Sequence, residues 1–205
     1  MRCIIFTGGE PEPRLPEGAE TEGALIIAAD SGFENCRALG FTPDLVLGDF
    51  DSLGHIPDGN EYEVFPKEKD DTDLMLAVRE ALRRSCDDIT ILGAMGGRFD
   101  HTFANVQTLA FIAENGASGR ILSVNEEIRL LRPGSYSFPK REGRSLSLFA
   151  YSSEVKGLTL RGVKYTLENG DITNSFPIGI SNEIEAENAE VAFTEGMLLA
   201  VMSKL

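Results

Sequence analysis

The chain has 205 residues, is 42% hydrophobic and is strongly acidic, with a formal net charge of −14 and a sequence pI near 4.6. That balance argues against nucleic acid and anionic membranes as partners, since both select positive surface. No apolar run approaches the roughly 20 residues a membrane-spanning helix needs, and the stretch Met1 to Phe6 reaches Gly8-Gly9 too soon for an export signal.

In chain order, Cys3-Ile4-Ile5-Phe6 predicts a first strand, followed by a glycine turn and a Pro/Glu-rich loop from Glu10 to Gly23. The run Ala24 to Ala29 predicts a second strand ending in Asp30-Ser31-Gly32, and Gly32 to Leu39 a short helix stopped by Gly40. Leu45-Val46-Leu47 predicts a buried strand that runs into Gly48-Asp49-Phe50-Asp51-Ser52. Glu63-Val64-Phe65 predicts another, ended by Pro66. From Thr72 to Arg84 apolar residues recur at helical spacing, behind the polar opening Lys69-Asp70-Asp71-Thr72-Asp73. Ile89 to Leu92 predicts a strand, Thr102 to Glu114 a helix ended by Asn115-Gly116, and Ile121 to Val124 a last strand of this half.

After about Ile128 the texture changes to short β-like runs separated by Pro133-Gly134, Glu142-Gly143, Asn169-Gly170 and Glu195-Gly196. The runs are Tyr136 to Phe138, Leu146 to Ala150, Leu158 to Leu160, Val191 to Phe193 and Met197 to Val201. The expected fold is α/β: an N-terminal, mostly parallel α/β sheet domain over 1–128, then a C-terminal all-β sandwich domain over 129–205. The three cysteines show no metal-ligand spacing. Their odd number, without an export signal, predicts reduced, buried thiols in the cytoplasm.

Three polar clusters begin where a predicted strand ends, and ligands bind at the carboxyl ends of such strands. Gathered aspartates repel each other unless a cation sits among them, and hard oxygen ligands suit Mg²⁺. Asp49 and Asp51 share a face if the chain stays extended, although a turn and a helix cap use the same residues. At the next cluster, Asp70 or Asp71 can serve as an N-cap, and Asp73 lies far enough into the helix to project toward the sheet edge. Thr72 offers a hydroxyl to a phosphate or a cap to the helix, and Lys69 binds phosphate or stays solvated. In Gly96-Gly97-Arg98-Phe99-Asp100-His101, the glycines let backbone approach an anion and Arg98 can grip phosphate oxygens. Asp100 can bind metal, orient Arg98 or cap the helix. His101 shares a helix face with Asn105 and is read first as structural. Neither a P-loop nor a Gly-x-Gly-x-x-Gly fingerprint is present.

Taken in order, Ala29-Asp30-Ser31-Gly32, Pro43 to Ser52, Asp70-Asp71-Thr72-Asp73 and Gly97-Arg98-Phe99-Asp100-His101 with Asn105 resemble the motifs of thiamine pyrophosphokinases (thiamine diphosphokinases). Gly157-Leu158, Gly162 to Tyr165 and Gly179-Ile180-Ser181-Asn182 resemble that family's C-terminal β domain. The resemblance implies an enzyme that converts ATP and thiamine to AMP and thiamine diphosphate with Mg²⁺. It also implies a homodimer whose thiamine lies between one subunit's α/β domain and the partner's β domain. Carried over by motif, Asp49, Asp51 and Asp73 hold metal and pyrophosphate and, with Asp100, form the catalytic set. Asp30, Lys69, Thr72, Arg98 and Asn105 line the ATP cleft, and Ser181 and Asn182 approach thiamine. Where some members carry an aromatic shortly after the Ser-Asn pair, this chain has Ile184, and it has no tryptophan. The competing readings are a pyrophosphokinase for another hydroxymethyl heterocycle, such as a pterin, and a non-catalytic sensor of thiamine diphosphate or nucleotide.

Overall fold

The computed structural model describes residues 1–48, 61–64 and 70–205. They form two compact units, Met1–Val124 and Asn125–Leu205. The first contains β1 (Arg2–Phe6), β2 (Leu25–Ala29), α1 (Gly32–Ala38), β3 (Leu45–Gly48), β4 (Glu61–Val64), α2 (Asp73–Arg83), β5 (Asp88–Leu92), α3 (Phe99–Glu114) and β6 (Ser118–Leu122). Its strands pair in parallel in the order β4-β3-β2-β1-β5-β6. β1, β3 and β5 are buried almost throughout, as expected of interior parallel strands covered on both faces.

Alternation along β1 divides the core. Ile4 and Phe6 pack with Cys36, Leu92 and Leu122, against α1 and the loop bearing Leu15 and Ala19. Cys3 and Ile5 point the other way and are equally buried. α2 packs on β1, β2 and β3 through Ala77, Val78 and Ala81, all fully buried. Each large side chain buried this way contributes about 2 kcal/mol. Cys3, Cys36 and Cys86 are buried free thiols, and burial pushes each upward in pKa, Cys36 to about 12. They pack as small apolar groups and are poor nucleophiles.

The second unit contains β7 (Glu126–Leu131), β8 (Gly134–Pro139), β9 (Arg144–Ala150), β10 (Glu154–Arg161), β11 (Leu167–Thr173), β12 (Asn188–Phe193) and β13 (Leu198–Lys204). β13 pairs antiparallel with β7 and β9, and a four-stranded antiparallel sheet runs β11-β10-β12-β8. Leu146, Leu148 and Met202 from the first group meet Leu158, Val191 and Phe193 from the second in one core. This is the expected sandwich.

Two strands escape the sequence reading. β7, Glu-Glu-Ile-Arg-Leu-Leu, lies where a domain boundary was expected. β11 contains Asn169-Gly170, read as a turn. In the structure Asn169 adopts φ 48° within the strand, and the β10–β11 register shifts on both sides of the Leu158–Gly170 pair. The turn-forming dipeptide serves a bulge there. α3 also begins at Phe99, earlier than the expected Thr102, so Asp100 falls in its first turn.

Candidate active site

The sheet order turns back at β1, with β2 on one side and β5 on the other. Chains leaving neighbouring strands in opposite directions open a crevice beyond their carboxyl ends. The turn after β1 is zipped to the turn after β5. Thr7 N donates to Leu92 O at 2.9 Å, Gly9 N to Gly93 O at 2.8 Å and Glu10 N to Met95 O at 3.1 Å. The Thr7 hydroxyl donates to Gly93 O at 2.6 Å. From α1, Asn35 Nδ2 donates to Thr7 O at 2.8 Å and to Gly9 O at 3.2 Å. Gly93 has φ 69°, and a Cβ there would stand 2.6 Å from Thr7 O, so the zipper needs glycine at that position.

Asp30 sits at the tip of β2. Its N–H donates to Leu47 O at 2.7 Å and its carbonyl accepts from Phe33 N at 3.0 Å. It adopts φ 48°, a conformation that Asp tolerates better than most residues. Its Oδ1 is buried and has no hydrogen-bond partner among the described residues.

The next cluster opens α2. Thr72 is the N-cap, its Oγ1 accepting from Met75 N at 3.2 Å. That settles the choice the sequence left open between Thr72 and its acidic neighbours, and the hydroxyl proton remains able to donate. Asp73 is the first helical residue and is half-buried. Asp71 instead accepts from Arg79 Nε at 2.9 Å. Asp49, Asp51 and Lys69 lie outside the described residues. Among the described residues no three His, Cys, Asp or Glu side chains stand close enough to hold a metal.

After β5, Arg98 is the N-cap of α3 and grips Asp100 with two nitrogens of its guanidinium, Nε to Oδ1 at 3.1 Å and Nη2 to Oδ2 at 2.6 Å. Both side chains are mostly exposed, at 74% and 62%. The shared hydrogen bonds hold the Asp100 carboxyl below its ordinary pKa and the Arg98 guanidinium above its own. Of the roles open to Asp100, orienting Arg98 is therefore realised in the structure. Asn105 Nδ2 donates to Ala94 O at 2.8 Å, so its amide braces the β5–α3 turn. His101, read first as structural, is exposed near the start of α3. Sequence reasoning missed Glu10, Thr7 and Asn35. Glu10 packs over Gly96, with Gly97 N at 3.4 Å from its Oε1. Their contacts are made to backbone across distant loops, and no local pattern announces them.

The second unit presents its candidates differently. Asn182 is buried and its amide is committed to backbone. Oδ1 accepts from Tyr165 N and Glu183 N, each at 3.0 Å, and Nδ2 donates to Tyr165 O at 2.8 Å. Ser181 is exposed, with φ 55°, and its N–H donates to Ser147 Oγ at 2.9 Å. Ile184 is buried in the sandwich core and bridges to Val163. Beside Asn182 opens a largely apolar cavity of about 150 Å³, lined by Tyr165, Leu167, Ile172, Ile178 and Ile180 among others.

Comparison with known proteins decides the family. Residues 20–118 match the model of the thiamin pyrophosphokinase catalytic domain, and residues 135–198 that of the thiamin pyrophosphokinase vitamin B1 binding domain. A thiamine pyrophosphokinase of Bacillus subtilis is 33% identical over 213 aligned residues, covering 99% of each chain. This chain belongs to the thiamine pyrophosphokinase family. Membership makes it an enzyme, a transferase of the kinase type. The crystal structure of the Bacillus subtilis thiamine pyrophosphokinase superposes with a TM-score of 0.90 at 32% identity over the whole of both chains. A thiamin pyrophosphokinase family protein of Enterococcus faecalis gives 0.83 at 31%, again over the whole of both chains. The yeast enzyme, only 13% identical, still gives 0.78 over all of this chain and 86% of its own, which shows the shared fold.

Proposed function

We propose that this member of the family makes thiamine diphosphate by transferring the pyrophosphoryl group of ATP to the hydroxyl of thiamine. The hydroxyl oxygen bonds to the β-phosphorus, the bridge between the α- and β-phosphorus breaks, and AMP leaves with the bridging oxygen. The hydroxyl proton passes to a carboxylate of the site or to solvent. The observation that carries the reading is the meeting of the Thr7–Gly9, Asp30 and Gly93–Arg98 turns where the strand order reverses. An anion is drawn there by Arg98 and by the start of a long helix.

The donors offered to a metal are carboxylate oxygens, and the buried Oδ1 of Asp30, without a partner among the described residues, supports an edge built to meet a ligand. That chemistry fits Mg²⁺. Asp49, Asp51 and Asp73 would hold it, and when bound it would supply neutralisation of phosphate charge. Arg98, oriented by Asp100, would bind phosphate oxygens. Thr72 would donate its hydroxyl and Lys69 would add charge at the same end of α2. Asn105 would keep the β5–α3 turn in place. In the second unit, Ser181 would meet thiamine while Asn182 fixes the Tyr165 backbone that borders the cavity. Residues 1–128 would be the ATP- and metal-binding domain and 129–205 the thiamine-binding and dimerisation domain of a cytoplasmic homodimer. No helix among the described residues is long and apolar enough to cross a membrane.

The test is to measure AMP and thiamine diphosphate formed from thiamine, ATP and Mg²⁺, with and without EDTA. Equal amounts of both products, lost on chelation, are expected. Turnover only with a different hydroxymethyl heterocycle would move the assignment to that acceptor. Nucleotide binding without AMP release from any acceptor would leave a sensor.

A further inference from the structure

The Oδ1 of Asp30 makes no hydrogen bond for the fold among the described residues. Its backbone makes the contacts that hold the turn, to Leu47 and Phe33. The residue is nevertheless pressed into place, because a Cβ on Gly48 would come within 3.2 Å of its Cα and Cβ. The result is a rigid, left-handed aspartate whose Oδ1 is withdrawn from water and lacks a partner among the described residues. Leaving such an acceptor unsatisfied costs free energy, so a ligand that donates to it gains more than one meeting a solvated carboxylate.

Position says which donor. Asp30 ends β2, the strand next to β1, and the β1 turn leans on the β2 turn, since Gly8 lies directly against the Ser31 side chain. In parallel sheets of this kind the phosphates lie over the glycine turn of the central strand. An acidic residue about 20 residues further on, at the end of the neighbouring strand, accepts from the ribose hydroxyls. This chain lacks the usual glycine fingerprint but has the geometry: a glycine turn after β1 and an orphaned carboxylate oxygen at the end of β2.

We infer that Asp30 accepts hydrogen bonds from the ribose hydroxyls of the nucleotide and so makes the site select ribonucleoside over 2′-deoxyribonucleoside triphosphates. The inference rests on the nucleotide-dependent reading above and assigns this residue a part in it.

Equilibrium binding of ATP and of 2′-deoxy-ATP, without thiamine and both with Mg²⁺ and with EDTA, tests it. The wild-type protein should bind ATP about 10-fold more tightly than the deoxy form, the order expected for a hydrogen bond to a charged group. That ratio should persist in EDTA. Asp30→Gly, which accepts the left-handed backbone, should bind both nucleotides with nearly equal affinity. Asp30→Asn, which keeps one acceptor oxygen and the same backbone preference, should retain part of the discrimination. Discrimination unchanged in Asp30→Gly would overturn the inference. So would a loss of affinity equal for both nucleotides and seen only with Mg²⁺, which would make Asp30 a cation ligand. A folded wild-type protein that binds neither nucleotide would overturn the functional reading itself, and this assignment with it.

Discussion

The edge of the parallel sheet and the Ser181-Asn182 corner of the sandwich both carry family motifs, yet they spend their polar side chains in opposite ways. At the sheet edge the loops are held largely by backbone, Gly9 and Glu10 to Gly93 and Met95, with Thr7 and Asn35 as struts. Arg98 and Asp100 pair with each other across two positions, and the Oδ1 of Asp30 has no partner among the described residues. At the corner, the side chain is the holder, because the Asn182 amide satisfies three backbone groups. Asking where each polar group's hydrogen bonds go therefore separates side chains that hold the backbone from those that do not.

The comparison breaks first at Asp73. If it serves ligand rather than fold, Asp73→Asn should lower turnover by about 10³-fold while the thermal unfolding midpoint stays close to wild type. Near-normal AMP release from this variant would remove it from the proposed metal set. The zipper makes the reverse claim. Gly93→Ala adds a Cβ 2.6 Å from Thr7 O at φ 69°, and should cost about 2–3 kcal/mol of stability in urea unfolding. A variant as stable as wild type would show that the two turns can part without cost.

Much of this was legible in the sequence, for physical reasons. Buried parallel strands are continuous apolar runs, so the strands at Ile4, Ile27, Val46 and Ile91 stand out. Their carboxyl ends carry glycine and aspartate, where the backbone must bend. What stayed hidden depends on partners far along the chain. β11 reads as a turn because Asn169-Gly170 carries turn chemistry, and only pairing with β10 makes it a bulged strand. Asn182 reads as a ligand residue because an amide suits either role, and only Tyr165, 17 positions earlier, shows where its bonds go. Asn35 is an ordinary helical residue until the β1 turn folds over it.

Asn182 itself sharpens the contrast. Asn182→Ala leaves the Tyr165 N–H and C=O without their buried partner and should cost about 2 kcal/mol, with a raised KM for thiamine. Asn182→Asp keeps the acceptor but puts a second acceptor against Tyr165 O, and should recover little of either. Full stability with weakened thiamine binding would instead make Asn182 a direct contact.

Glu80 offers the matching case inside the first unit. It is buried like the Oδ1 of Asp30 but fully partnered, accepting from Arg83 at 2.6 and 2.7 Å and from Arg84 at 2.6 Å. The Arg83 hydrogen bonds, with those of Arg84, hold its carboxyl below the ordinary value of 4.5. A lowered folded-state pKa means the stabilisation is fully present above that value and is lost as pH falls through the folded one. The stability gap between wild type and Glu80→Gln should therefore narrow on acidification below pH 4.5. A gap that stays constant with pH would show that the charge of Glu80 contributes nothing.

The smallest effect separates two roles of one hydroxyl. Thr72 caps α2 through its oxygen and can donate its proton elsewhere. Thr72→Ala should lose about 1 kcal/mol of stability, and Thr72→Ser should lose almost none. If capping were its whole purpose, the alanine variant would keep its KM for ATP once assayed well below its unfolding temperature. If the hydroxyl also meets phosphate, KM rises several-fold in alanine and recovers in serine, because serine restores the donor along with the cap. Valine supplies a further control, for the methyl group. It keeps the shape of threonine, removes cap and donor alike, and should match alanine in both measurements if the hydroxyl, rather than the packing of its methyl group, is what α2 and the nucleotide share.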